Sequence, residues 1–448
     1  MEPVCALDYR YGRKEMKELM SYQARVSRCL EVEAALARAH AKVGNIPKSA
    51  ADEITKKANL KYVSLKRVEE IEGEIRHDIM AIVNSLTEVC EGKAGRYVHL
   101  GATSYDIVDT ALAMQLRDGL DVLDEGLRSL ENVLIEQADK YKSTVMVGRT
   151  HGQYAIPITL GLKMAVWLAE VHRHRQRLEG SRKLLLVGKM SGAVGTGAAL
   201  GKKAFEIEEL VMEDLGLGIE EAATQIVQRD RMNEFFGHLA NLSVTIEKIA
   251  SEVRTLQRPE IGELSEPFDT EKQVGSSTMS HKRNPIVCEN ITGLARTMRG
   301  FLAPAYENGV QWNERDLSNS SAERFIIPHM MVLADEVVDK LTWVLKGLIV
   351  NEDRIAENLK RAGDVIMAES VIMKLVSKGM GRQEAHEATR QAAMKHYSGV
   401  SYKSALFQDP KVSGLLKIKE LESSLDPANY IGVSVERVDR VIKMVRSP

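Results

Sequence analysis

Residues 275–285 read Gly-Ser-Ser-Thr-Met-Ser-His-Lys-Arg-Asn-Pro, a small-residue run carrying hydroxyls and cations ahead of a helix-start signal. Asn284 suits an N-cap and Pro285 a first helical position. That places Ser276, Ser277, Lys282 and Arg283 near the positive end of a helix. Free backbone N–H groups, hydroxyls and positive charge in one place suit an anion. Gly275 and its small neighbours allow the loop to open and close over a ligand. A Ser/Gly loop before a helix also arises for structural reasons alone, so both readings stand.

A second polar cluster is His99-Leu-Gly-Ala-Thr-Ser104, followed by Asp106 and Asp109-Thr110. Its Thr103 and Ser104 oxygens suit the cap of a long helix starting near 106, with Asp106 close to the dipole. The same hydroxyls and N–H groups suit a bound carboxylate, and the two roles are compatible. The third cluster, Gly148-Arg-Thr-His151-Gly-Gln153, also precedes a helical segment. Histidine is the side chain best poised for proton transfer near neutral pH. His77, between Arg76 and Asp78, has the same capacity, and a salt-linked surface role competes with it. Arg315 and Arg324 pair equally well with neighbouring Glu314 and Glu323.

Helices must position these clusters. Leu112, Leu116, Leu120, Leu123, Leu127, Leu130 and Leu134 recur at spacings of three and four. Phe235, Leu239, Leu242, Ile246, Ile249, Val253 and Leu256 repeat the pattern and stop before Pro259. Leu333, Val337, Leu341, Leu345 and Leu348 form a third such stripe. Helices of this length suit a bundle. No alternating strand pattern is comparably strong, so the fold class expected is all-α. Breaks near Gly44-Asn45, Asn59 and Gly92-Lys93 suggest an N-terminal helical domain over 1–110. A central long-helix bundle over 111–350 and a C-terminal helical domain over 351–448 complete the expected division.

The net charge of −2 gives no reason to expect nucleic acid or an anionic membrane as partner. No apolar run reaches the roughly 20 residues that span a bilayer, and the N-terminus has no signal-peptide core. Cys5, Cys29, Cys90 and Cys288 are scattered and read as reduced thiols, which suits a cytoplasmic location.

The three clusters, in this order and separated by long helices, resemble the shared regions of the fumarase/aspartase superfamily. Within it the chain most closely resembles the adenylosuccinate lyase family. The residues carrying that resemblance are Arg10-Tyr11, Arg76-His77-Asp78, and Thr224-Gln225 ahead of Gln228-Arg229-Asp230. Trp312-Asn-Glu-Arg315-Asp316 and Ser320-Ser321-Ala-Glu-Arg324 complete the set, and the resemblance runs end to end. One departure is Ser280, where the family loop usually has proline; serine frees φ there.

The resemblance implies a three-domain fold with a central bundle. It also implies a homotetramer whose active sites are each assembled from three subunits. The chemistry implied is a β-elimination without cofactor or metal, releasing fumarate from a succinylated purine nucleotide. In that scheme Ser276 is the base, His151 the general acid and Glu289 the partner of His151, while Lys282 stabilises the serine alkoxide. Arg10 and Tyr11 clamp phosphate and ribose, and Arg76, His77 and Asp78 bind the nucleotide. Thr103, Ser104, Ser277, Lys282 and Asn284 hold the succinyl carboxylates, with Arg283 beside them. Gln225, Asn290, Arg315, Ser320 and Arg324 also contact the substrate. Two other readings remain at this level. One is a superfamily lyase acting on a small substrate, such as argininosuccinate lyase, fumarase, aspartase or a carboxymuconate cycloisomerase. The other is a lens-type scaffold, which predicts erosion at 151, 276 or 282.

Overall fold

The computed structural model describes residues 4–269, 271–273, 277–279 and 281–447. Ser276 and Ser280 lie outside the described residues. The fold is all-α, and the apolar stripes mark its longest helices. α1 spans Tyr22–Lys42, α2 Leu65–Ile75, α3 Asp78–Val89 and α4 Ser104–Lys140. After a hairpin of β1 (Val145–Thr150) and β2 (Gln153–Thr159) come α5 (Leu160–Leu185) and α6 (Asp230–Leu256). α7 (Ile286–Gly300) and α8 (Ser318–Lys346) follow. Leu116, Leu120, Leu123, Leu127, Leu130 and Leu134 are all buried on α4, and the whole predicted stripe of α6 is buried. The third stripe is buried as well, but Leu348 lies just past the end of α8.

The described chain resolves into two compact units. One comprises residues up to Arg128, Arg173–Ile246 and Gly293–Asp339; the other comprises Ser129–His172, Glu247–Thr292 and the residues from Lys340 onward. The cuts fall inside α4, α5, α6, α7 and α8, because a long helix serves two packing environments along its length. In the first unit a core forms where Val26, Leu30 and Leu36 of α1 meet Ile79 and Leu86 of α3 and Ile107 of α4. The second unit has a core built on Val371, Leu375, Tyr402, Leu406 and Leu421. Among the described residues no helix is long and apolar enough to cross a membrane. All four cysteines are free, and burial pushes the Cys29 thiol up to about 12.

The segment around His151 differs from the expectation that it leads directly into a helix. β1 and β2 pair antiparallel, with Thr150 opposite Gln153, and His151-Gly152 is the two-residue turn. Both turn residues have positive φ, 53° and 73°, the signature of a type I′ hairpin turn. The polar Gly-Arg-Thr-His-Gly run hides the β-branched residues flanking it. Pro157, paired with Val147 beside an irregular register, obscures the alternation further.

Candidate active site

Eleven of the sequence-derived site residues lie in the first unit: Arg10, Tyr11, Arg76, His77, Asp78, Thr103, Ser104, Gln225, Arg315, Ser320 and Arg324. At the start of α4 the cap is closed by a carboxylate and not, as expected, by the Thr103 or Ser104 hydroxyl. The Thr103 N–H donates to Asp106 Oδ2 at 2.8 Å, and the Asp106 N–H donates to the Thr103 carbonyl at 3.0 Å. Asp106 is fully buried and also accepts from the N–H groups of Ser191 (3.0 Å) and Gly192 (3.1 Å) and from the buried Lys189 ammonium. The carboxylate thus makes the return half of a capping box, taking the N-cap N–H, while the reciprocal hydroxyl half is not made. Both hydroxyls therefore keep their hydrogen-bonding capacity, since neither has a partner among the described residues.

Tyr105 then organises the next three residues. Its ring lies under the Arg315 guanidinium, whose carbon is 3.5 Å from the ring centroid, and its hydroxyl donates to Ser320 Oγ at 3.2 Å. Arg315 Nη1 donates to Gln225 Oε1 at 2.8 Å, and Gln225 Nε2 donates to the Ala193 carbonyl at 3.1 Å. Arg315 Nε and Nη2 are buried without a partner among the described residues. Idle buried donors on a cation are costly until an acceptor joins them. Arg315 is thus poised for an anion, and the alternative pairing with Glu314 does not form.

Arg324 likewise does not pair with Glu323. Its Nη2 donates to Asp78 Oδ2 at 2.8 Å, and Arg25 Nη2 donates to the same oxygen at 3.1 Å. Burial alone would raise the Asp78 carboxyl. The Arg25 charge and hydrogen bond, the Ile79 N–H and the Arg324 charge outweigh it and hold the carboxyl below its ordinary value. Tyr22, Arg25, Asp78, Tyr105, Ser320 and Arg324 line a cavity of about 290 Å³. His77 caps α3: its Nδ1 accepts the Met80 N–H at 3.3 Å, which leaves Nε2 for a ligand. Arg76, just before it, adopts left-handed backbone with φ 54° and is exposed. Arg10 and Tyr11 follow the short helix Ala6–Tyr9, and both their N–H groups donate to the Ala6 carbonyl. Arg10 is exposed and Tyr11 half-buried.

The second unit holds His151, Ser277, Lys282, Arg283 and the start of α7. His151 is exposed at the hairpin tip, and its ring has no partner among the described residues. Ser277, Lys282 and Arg283 are exposed, and the Arg283 guanidinium lies over the Phe268 ring at 5.0 Å. α7 starts at Ile286, so the expected positions of Asn284 and Pro285 shift by one residue. The anion site expected at this helix end is partly occupied from within. Buried Glu266 accepts the N–H groups of Val287 at 3.1 Å and Cys288 at 3.0 Å. Lys282 and Arg283 are the exposed cations that precede this helix start. Glu289 is exposed in the first turn of α7 with no side-chain partner among the described residues. Asn284 and Asn290 are half-buried.

Sequence reasoning missed Arg25, Tyr105, Glu266 and Glu33. Only Tyr105 carried a signal, its position directly after Ser104. Glu33, fully buried on α1, accepts the His99 ring Nδ1–H at 2.6 Å and the His99 N–H at 3.0 Å. It pins the left-handed residue (φ 61°) that opens the Leu100–Thr103 loop. Burial alone would lower the His99 value, but the Glu33 bond and charge reverse that and raise it. The folded value therefore lies above the unfolded one. The pair's stability is complete below about pH 6.5 and falls as pH rises through the raised folded value. Replacing Glu33 with alanine is expected to cost about 3 kcal/mol at pH 6. The wild-type advantage should shrink with rising pH in thermal unfolding, and a pH-independent difference would contradict the charged pair.

Comparison with known proteins identifies the family. A family model described as "Lyase" matches residues 10–300, and one described as "Adenylosuccinate lyase C-terminus" matches residues 364–441. The chain is 50% identical over 440 residues to the adenylosuccinate lyase of Pyrococcus abyssi, covering 98% of this chain and 97% of that one. It is 46% identical to the Methanocaldococcus jannaschii enzyme of the same name, covering 98% and 96%. Among solved structures, a fumarate lyase from Mesorhizobium sp. BNC1 superposes with a TM-score of 0.90 at 33% identity, covering 98% and 100%. A 3-carboxy-cis,cis-muconate lactonizing enzyme from Pseudomonas putida gives 0.89 at 34%, covering 98% of each chain. The two lyase halves of the match, the near-complete coverage and the all-α architecture agree: this chain belongs to the adenylosuccinate lyase family.

Proposed function

We propose that the chain cleaves adenylosuccinate to AMP and fumarate in purine nucleotide synthesis. The succinylamino and phosphate groups recur in succinylaminoimidazole carboxamide ribotide, and the same site serves that substrate. The observation that carries this reading is near-full-length identity of 50% to an enzyme of that name.

The reaction breaks a C–H bond and a C–N bond and forms a C=C bond. Ser276 takes the proton from the carbon beside a succinyl carboxylate. Electron density then builds on that carboxylate as a dianionic aci-form, and hydrogen-bond donors and cations stabilise it. Thr103, Ser104, Ser277, Lys282 and Asn284 are assigned to the succinyl carboxylates, with Arg283 beside them. His151, partnered by Glu289, protonates the departing purine nitrogen. A serine hydroxyl is a poor base unless its alkoxide is stabilised, and Lys282 supplies the charge. Arg10, Tyr11, Arg76, His77 and Asp78 hold the nucleotide end. Arg324 is assigned to that end as well, because it already hydrogen-bonds Asp78. Gln225, Arg315 and Ser320 join it through Tyr105, and Asn290 contacts the substrate from α7.

The working form is assigned as a cytoplasmic homotetramer of three-domain subunits, with active sites assembled from several chains. Large exposed apolar side chains support an assembly: Trp312, Leu317 and Phe325 are 78%, 71% and 65% exposed. The structural neighbours favour a second reading, a lyase for small carboxylates, which a phosphate clamp at Arg10-Tyr11 does not suit.

The test is purified protein with adenylosuccinate in the presence of a chelator. AMP and fumarate should appear in equal amounts, from a species of tetrameric mass by light scattering. Inactivity on adenylosuccinate and on the imidazole ribotide, with turnover of a small dicarboxylate, would sink the proposal.

A further inference from the structure

Arg229, directly before α6, touches none of the groups assigned to the substrate, yet it is 4% exposed and every N–H of its guanidinium is used. Nε donates to Glu323 Oε1 at 2.7 Å. Nη1 donates to Asp109 Oδ2 at 2.9 Å and to the Val227 carbonyl at 2.7 Å. Nη2 donates to Asp109 Oδ1 at 2.9 Å and Glu323 Oε2 at 3.1 Å. The Val227 N–H and the Asn319 amide fill further acceptor positions on the two carboxylates, at 2.9 and 3.0 Å. Asp109 and Glu323 are themselves buried. A planar guanidinium with two bidentate edges fixes the direction as well as the distance of both partners, which an ammonium does not.

The three partners sit close in sequence to three different substrate segments. Asp109 lies on α4 about one and a half turns beyond Thr103-Ser104. Val227 follows Gln225 by two residues. Glu323 lies on α8 between Ser320 and Arg324. We propose that Arg229 is a positioning residue that sets the carboxylate-binding start of α4 in register with the nucleotide-binding start of α8. The proposal rests on the assignment of those two ends given above. A substrate spanning both ends gains from having them prealigned, whereas a ligand that touches one end does not.

That difference supplies the test. Arg229→Lys keeps the buried charge and loses the fork. The triple variant Asp109→Asn, Arg229→Met, Glu323→Gln removes all three charges at similar volume and serves if the lysine variant does not fold. AMP and fumarate binding are measured separately by calorimetry, and adenylosuccinate turnover by steady-state kinetics. kcat/KM should fall about a hundredfold, while the Kd of each half-ligand changes less than about threefold. Unchanged kcat/KM with a lowered Tm would reduce Arg229 to a structural residue and overturn the proposal. Equal loss of both half-ligands would overturn it too, because each end would then be damaged by itself. Thr103→Ala and Arg324→Ala separate this failure from that of the site assignment. They should weaken fumarate and AMP respectively, and if neither does, the assignment falls and takes the proposal with it.

Discussion

Alanine at position 276 is expected to lower kcat by about 10²–10⁴-fold, the usual contribution of a positioned proton acceptor, while AMP still binds. The proton removed sits on carbon beside a carboxylate and is very weakly acidic, so turnover depends on a base held against it. Ser276 and Ser277 are neighbours in sequence, and Ser277→Ala separates their roles. Losing one carboxylate donor at 277 should raise KM more than it lowers kcat. Near-normal turnover in the alanine variant at 276 would remove that residue from the mechanism. Attention would then move to His151 or His77, the histidines weighed for proton transfer.

A mixture of two inactive proteins is expected to recover activity. His151→Asn removes the imidazole yet keeps the hairpin, because asparagine before glycine is well suited to a type I′ turn. Its loss of activity therefore cannot be blamed on a broken turn. Mixed and reassembled with Ser276→Ala, it should regain about a quarter of wild-type activity, the statistical share of sites drawing an intact residue from each of two chains in a closed oligomer. Unmixed samples should remain inactive. If verified subunit exchange restores nothing, each site takes both residues from one chain, and the shared-site assembly is wrong.

Much of the architecture was legible because helical periodicity is local. The leucine stripe from Leu112 to Leu134 needs only its own neighbours to declare α4, and Phe235–Leu256 declares α6 in the same way. The polar clusters stood out too, since small residues, hydroxyls and cations gather there outside the apolar stripes. The hairpin under His151 was not, because short irregular strands interrupted by glycine and proline leave little pattern to read. The family assignment likewise followed from short motifs in the right order, with no knowledge of how they fold together.

Tertiary structure alone decided which charge meets which. Nothing near Glu266 in the chain announces that it closes the start of α7 by accepting the Val287 and Cys288 N–H groups. Glu323 stands beside Arg324 in sequence, yet it binds Arg229 from 94 residues away, and Arg324 reaches Asp78 from 246 residues away. Asp106 ties the N-cap N–H of Thr103 at the start of α4 to the segment 189–192, because burial beside Lys189 brings it four donors. The physical reason is the same each time. A buried charge must be matched, and the match is chosen by three-dimensional proximity and desolvation, neither of which leaves a periodic trace in the sequence.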